Sequence, residues 1–152
     1  MKVIKSIDEA LATMGEDLGV SRWVEVDQSL INSFAEVTRD HQWIHVDVAK
    51  AERESPYGAT IAHGFLTLSL IPGVSKDNYR IENSKMGINY GLNKVRFLSP
   101  VRAGTRIRVR SHLVDAAQVA ADTVNLIVRH TVEIEGADKP AAVADLIARF
   151  VF

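Results

Sequence analysis

IAHGFLTLSLIPGV, residues 61–74, is apolar almost all round: between Phe65 and Ile71 only Thr67 and Ser69 interrupt it. A helix without a polar face belongs inside a core, so the pattern predicts a buried helix that the rest of the chain must cover, ended by the breakers Pro72 and Gly73. His63 and Gly64 fall at its start, where backbone N–H groups lack intrahelical acceptors and the helix dipole favours negative charge. Gly64 lets a ligand approach the backbone closely. The same glycine would equally serve close packing of helix on sheet.

The cover comes from the second half of the chain. MGINY, NKVRFL, TRIRVRSHLV, TVNLIVRHTVEIE and AAVADLIARFVF are rich in β-branched residues and separated by Gly, Pro, Asp or Lys turns. Within 123–134 the even positions Val124, Leu126, Val128, Val132 and Ile134 are apolar, and polar residues alternate with them. One face of that strand is covered and the other wet. His130 lies in register with the apolar side, as a core or interface residue does. Arg106, Arg108 and Arg110 share a face, which reads as a solvated outer face, with contact to ligand phosphates as the alternative.

Upstream, Ser6 and Glu9 have capping-box spacing for a short helix to about Met14 that stops at Gly15. WVEV at 23–26 alternates like a strand. Asp27 caps a helix through Val37, with Leu30, Ile31, Phe34 and Val37 on one face. Asp47 is placed to cap a further helix over Val48–Glu54, and SPYGAT at 55–60 supplies a loop before the apolar helix. With no repeat, linker or low-complexity tract, residues 1–152 are expected to form one α+β domain: an antiparallel sheet of about five or six strands around one helix.

Composition narrows the function. A chain of 152 residues buries roughly 70% of its unfolded surface, enough for one real core. Eighteen Lys+Arg nearly cancel 19 Asp+Glu, so no electrostatic grip on nucleic acid or anionic lipid is expected. A small neutral partner suits this balance better. There is no cysteine, which removes disulfides, thiolate metal sites and a thiol nucleophile. No stretch is long and apolar enough for a membrane span or a leader's h-region, and a soluble cytoplasmic protein is the expectation.

The chemistry is concentrated in TRDHQWIHVD, residues 38–47. Three readings compete. His41 and His45 have H-x-x-x-H spacing for a metal, but no third ligand is evident nearby. Asp40 and His45 suit proton transfer, since histidine titrates near neutrality and a partly buried carboxylate is tunable; on a helix they would point about 140° apart, so they converge only if the chain turns after Val37. A solvated loop is the third reading.

Asp40-His41-Gln42-Trp43-Ile44-His45 with Asp47, then Ile61-Ala62-His63-Gly64-Phe65-Leu66, then Asn93 to Val101 with Gly104, together resemble the MaoC-like dehydratases, the (R)-specific enoyl-CoA hydratases. The similarity runs from about Trp23 to the C-terminus, and DHQWIH and NYGLNKVRF look especially like the short, single-domain actinobacterial members. The resemblance implies a hot-dog fold, an antiparallel sheet wrapped around a long helix. It implies reversible hydration of trans-2-enoyl-CoA thioesters to (R)-3-hydroxyacyl-CoA in fatty-acid metabolism, with Asp40 and His45 as the catalytic pair and the Gly64 amide as oxyanion donor. It also implies a homodimer, which a small sheet with free edges favours. No metal and no cofactor is expected.

The motif departs from the usual Gly-Asp-x-Asn-Pro-x-His: Arg39 replaces the glycine, Gln42 the asparagine and Trp43 the proline. Pro72 stands where well-studied members carry a serine eight residues after the helix glycine. Two other functions fit the same fold, since fold does not fix function: acyl-CoA thioester hydrolysis, or a non-catalytic acyl-thioester-binding or assembly subunit. His41 and Asp47 are read as structural.

Overall fold

A computed structural model describes residues 1–152. In chain order its elements are β1 (Lys2–Ile4), α1 (Ile7–Ala12), β2 (Asp17–Val20), β3 (Val24–Val26), α2 (Gln28–Thr38), α3 (Trp43–Val46), α4 (Val48–Glu54), α5 (Gly64–Val74), β4 (Tyr79–Ile81), β5 (Met86–Phe97), β6 (Thr105–Ala120), β7 (Thr123–Ile134) and β8 (Ala142–Val151). One antiparallel sheet runs in the order β2-β6-β7-β8-β5, with β3 pairing the start of β6. The helix α5 packs against β6, β7 and β8, which is the wrapped-helix architecture expected.

The alternation in 123–134 has the predicted consequence: Val124, Leu126, Val128 and Val132 are buried, and His130 with them. Of these, Val132 shares a buried cluster with Leu66 and Ile71 of α5, whereas Val124, Leu126 and Val128 pack with Ala10 of α1; burial of each such side chain is worth about 1.5–3 kcal/mol. The outer arginines are ion-paired, Arg106 to Glu135, Arg108 and Arg110 to Glu133, and Arg110 also to Asp17. That face is a charged ladder of the sheet.

Four expectations need correction. Pro72 and Gly73 do not end the buried helix, because Pro72 is accommodated inside α5, which continues to Val74. Val37 is 84% exposed, since the last turn of α2 runs past the core; Ile31 and Ala35 carry its buried face instead. MGINY and NKVRFL are one strand, β5, whose register against β8 shifts between Asn89 and Gly91 and again between Leu92 and Lys94. These irregularities absorb the extra residues without breaking the pairing. The helix after Ser6 is shorter than expected and ends at Ala12.

A parallel pair of β1 with β4 escapes sequence reading altogether, because two three-residue strands far apart carry no local signal. The surface has one more property that bears on function. The far edge of β5 pairs with nothing, and Ile88, Tyr90, Leu92 and Phe97 on it stand exposed; Phe97 meets Phe65 of α5, itself 69% exposed, with ring centroids 6.1 Å apart.

Candidate active site

The turn that Asp40 and His45 require is present. Asp27 Oδ1 accepts from Leu30 N–H at 2.8 Å and starts α2, and Arg39, at φ 62° and ψ 21°, ends it in the left-handed region. The chain leaves the helix axis there and re-enters a single helical turn, α3, which carries His45. The usual glycine of the motif is replaced here by Arg39 at the position that needs positive φ, where glycine is unstrained. Trp43 opens α3 where proline would be at home, and its ring lies under Lys50 Nζ at 4.7 Å.

A carboxylate oxygen of Asp40 and a ring nitrogen from each of His45 and His63 lie within 4.8 Å of one another. Asp40 is exposed, whereas His45 is only 7% exposed. His45 Nδ1 is 2.6 Å from the Ile61 carbonyl oxygen. A carbonyl only accepts, so Nδ1 carries the hydrogen and Nε2 is left with a free lone pair. Burial pulls the His45 imidazolium below its usual range and His63 pushes the same way, against the Ile61 carbonyl and Asp40. The ring is therefore neutral, and basic at Nε2, at neutral pH.

His63 was read from sequence only as the start of the helix, and it is the third member of the cluster. Its Nε2 donates to the Asp40 carbonyl at 3.0 Å, its ring stacks on His45 at 3.8 Å and 26°, and Phe34 backs it at 5.0 Å. Its buried Nδ1 has no partner. Gln28 is a second residue that sequence reading missed. Its Nε2 donates to the His45 carbonyl at 2.7 Å and its Oε1 accepts from the Thr60 hydroxyl, tying α3 to the strand of loop before α5. The signal was available: Gln28 is in line with Ile31 and Ala35, on the buried stripe of α2.

His41 and Asp47 stand apart from the cluster. His41 Nε2 meets Glu36 Oε1 at 2.8 Å on the surface, and Asp47 Oδ1 caps α4 through Lys50 N–H at 3.0 Å. The H-x-x-x-H pair therefore does not assemble. The Asp40–His45–His63 cluster fits a metal poorly as well: nearly parallel stacked rings direct their in-plane lone pairs side by side, whereas a tetrahedral ion needs them to converge.

Gly64 opens α5, and its N–H donates to no backbone acceptor. A cleft of about 260 Å³ beside it is lined by Ile61, Gly64, Thr67, Phe97 and Pro100 among others. A Cβ at Gly64 would meet the Phe97 ring at 3.1 Å, so the close-packing reading of this glycine has a physical basis alongside the donor reading. No helix of the chain is long and apolar enough to cross a membrane.

Residues 9–135 match the model of the MaoC like domain. The chain is 47% identical over 151 residues to 3-hydroxyacyl-thioester dehydratase Z of Mycobacterium tuberculosis, covering 99% of each chain. It is 44% identical over 144 residues to nodulation protein N of Rhizobium meliloti, covering 94% of this chain and 89% of that one. Among solved structures, the (R)-hydratase from A. caviae involved in PHA biosynthesis superposes with a TM-score of 0.70 at 18% identity, over 89% of this chain and 94% of that one.

Proposed function

This chain belongs to the MaoC-like family, and from that premise we infer that it is a hydro-lyase, adding water reversibly to trans-2-enoyl thioesters to give 3-hydroxyacyl thioesters. The observation that carries the reading is the exposed Asp40 carboxylate beside a neutral His45 whose Nδ1–H is committed to the Ile61 carbonyl. Two acceptors within 4.8 Å of each other hold one water between them with hydrogen bonds of about 2.8 Å.

In the hydration direction, His45 Nε2 and Asp40 orient that water and take its proton as its oxygen bonds to C3. The C2–C3 π electrons move onto the thioester oxygen as an enolate, and the Gly64 N–H at the positive end of α5 stabilises it. Collapse of the enolate takes the proton back at C2. Dehydration is the same path reversed. Coenzyme A as the thiol, the R configuration of the product and fatty-acid metabolism as the setting go with this reading, and so does a cytoplasmic location, since a chain without cysteine needs no oxidising compartment.

The assembly is a homodimer through β5 and the N-terminal half of α5. An unpaired strand edge and a row of exposed apolar side chains ending at Phe65 support that choice. A monomer in light scattering, or assembly only with a different chain, would overturn it.

The test follows loss of the conjugated enoyl-thioester absorbance over a series of trans-2-enoyl-CoA esters, with chiral identification of the product. Turnover to the (R)-3-hydroxyacyl ester, falling by about 10²–10⁴ in Asp40→Asn with the fold intact, is the expected result. Release of free coenzyme A thiol instead, or full activity in the variant, would overturn the assignment.

A further inference from the structure

His45 sits on a very short element. The helix α3 is one turn, Trp43–Val46, and its N-cap Gln42 makes no side-chain cap bond. A single turn does not hold itself together in water, so the position of His45 is set by what grips α3 from outside. The segment facing it, Thr60 to Ala62, is anchored on its own account. Ala62 N–H donates to the Val101 carbonyl at 2.7 Å, Ala103 N–H donates to the Thr60 carbonyl at 3.0 Å, and Ile61 bridges to Arg102.

The backbone of α3 is joined to that segment in two ways. Ile61 N–H donates to the Ile44 carbonyl at 3.0 Å, and the Gln28 side chain bridges the rest. The His45 carbonyl lies in the last turn of α3, which ends at Val46, so the helix itself supplies it no donor. Gln28 Nε2 donates to it at 2.7 Å. A carbonyl only accepts, which fixes the amide with its nitrogen on this side and Oε1 toward the Thr60 hydroxyl, from which it accepts. The second Nε2 hydrogen goes to Asn32 Oδ1 at 2.8 Å, one turn along α2. Turning the amide over would set an oxygen against the His45 carbonyl.

Thr60, only 2% exposed, is the neighbour of Ile61, whose carbonyl holds His45 Nδ1–H at 2.6 Å. Gln28 therefore spans the same gap as the His45 ring, from residue 45 to residues 60–61, and sets its width. That width decides which ring nitrogen keeps the hydrogen. While Nδ1 stays within reach of the Ile61 carbonyl, its hydrogen has an acceptor. If the gap opens, the preference lapses and the Nε2–H tautomer is populated, with the lone pair then on the Ile61 side instead of beside Asp40.

We propose that Gln28 is a positioning residue of the active site: through the His45 carbonyl and the Thr60 hydroxyl it holds α3 at the distance where His45 keeps Nδ1–H on Ile61 and offers Nε2 beside Asp40. Gln28 does not line the cleft at Gly64, so its effect passes through His45. The effect on rate rests on the hydratase reading, whereas the tautomer belongs to the resting protein and is measured without substrate. Gln28 also borders an open cleft of about 320 Å³, with Asp27, Val48 and Ala103 among others. Water entering there can meet the groups left unpaired when the amide is removed, so the fold tolerates its replacement.

The experiment is proton–nitrogen correlation spectroscopy of the histidine rings at neutral pH, with the His45 signals assigned by their loss in His45→Gln, beside steady-state kinetics on trans-2-enoyl-CoA esters. The wild type is expected to show His45 as the Nδ1–H form. Gln28→Met keeps the length of the side chain and removes its hydrogen bonds. It should bring in the Nε2–H form and lower kcat by about ten- to a hundredfold, with KM within about twofold of the wild type. Thr60→Val should act in the same direction, and Thr60→Ser, which returns the hydroxyl, should recover most of that loss. A side chain that only supports the fold would leave the ring nitrogens of the folded variant where they were. A folded Gln28→Met whose His45 stays wholly Nδ1–H, or whose kcat equals that of the wild type, would overturn the proposal; if that variant does not fold, the Thr60 pair decides by the same criteria. A tautomer shift in a protein that hydrates no enoyl ester would leave the positioning role standing and remove the hydratase reading instead.

Discussion

His45 and His63 are stacked at 3.8 Å with opposite tautomers, because the Ile61 carbonyl claims Nδ1 of the first and the Asp40 carbonyl claims Nε2 of the second. Both rings are thereby fixed in orientation, and the buried, neutral His45 presents a bare Nε2 beside a carboxylate. Placing the His63 imidazole against His45 makes protonation of His45 harder.

That coupling has a measurable sign. His63 is one of the influences that lower the His45 pKa, and the proposed mechanism uses His45 in its neutral form, so on that reading the rate should fall as pH drops through that pKa. His63→Phe keeps the site dry and removes the neighbouring imidazole. The acid limb of the kcat/KM profile should move to higher pH, with a smaller loss at pH 8 than at pH 6. An acid limb that stays in place would show that His63 does not tune His45.

Arg39 occupies a left-handed backbone conformation, φ 62°, that costs a non-glycine residue about 1–2 kcal/mol. Its side chain makes no ion pair within the chain, so little is lost with it. Arg39→Gly should stabilise the protein by about 1 kcal/mol after the added flexibility of the unfolded chain is counted, a rise of roughly 2–4 °C in Tm. Calorimetric scans of the two proteins decide it, and a lower Tm in the variant would mean that the arginine side chain has a role of its own.

The parts of this molecule legible in sequence are those set by short-range periodicity and caps. Asp27 and Asp47 cap the helices assigned to them, and the alternation from Val124 to Val132 gives the buried face of β7. What was illegible depends on distance along the chain. Gln28 reaches His45 and Thr60 across 17 and 32 residues, and β1 finds β4 with most of the first half of the chain between them. Asp40 and His45 were identifiable as a pair, but the third member of the cluster, His63, lies 23 residues from Asp40 and only the fold brings it there.

His130 makes stability depend on pH in a window separate from that of the carboxylates. Its folded pKa of about 4 lies below the unfolded value near 6.5, so between these pH values the unfolded chain binds the extra proton. Stability should therefore fall as pH drops from about 6.5 toward 4, by up to roughly 3 kcal/mol from this group. Asp145, held below the usual carboxylate range by hydrogen bonds from Arg129, loses its contribution only at lower pH, through its own depressed pKa. Urea midpoints at pH 7 and pH 4.5 should differ less in His130→Leu than in the wild type; an unchanged difference would place the acid sensitivity elsewhere.

Gly64→Ala separates the two roles available to this glycine. Alanine is favoured over glycine by about 1 kcal/mol inside a helix and by less at its first position, which Gly64 occupies, and the new Cβ would meet the Phe97 ring at 3.1 Å. That ring is 48% exposed and has room to shift by a few tenths of an ångström, so thermal stability should change by less than about 1 kcal/mol. The backbone N–H is untouched. If the thioester oxygen approaches it, however, the methyl group stands in the path, and kcat/KM should fall by about tenfold or more while Tm holds. A large loss of stability with activity preserved per folded molecule would make Gly64 a packing glycine alone, and the enolate charge would then have to be met by another donor at the start of α5.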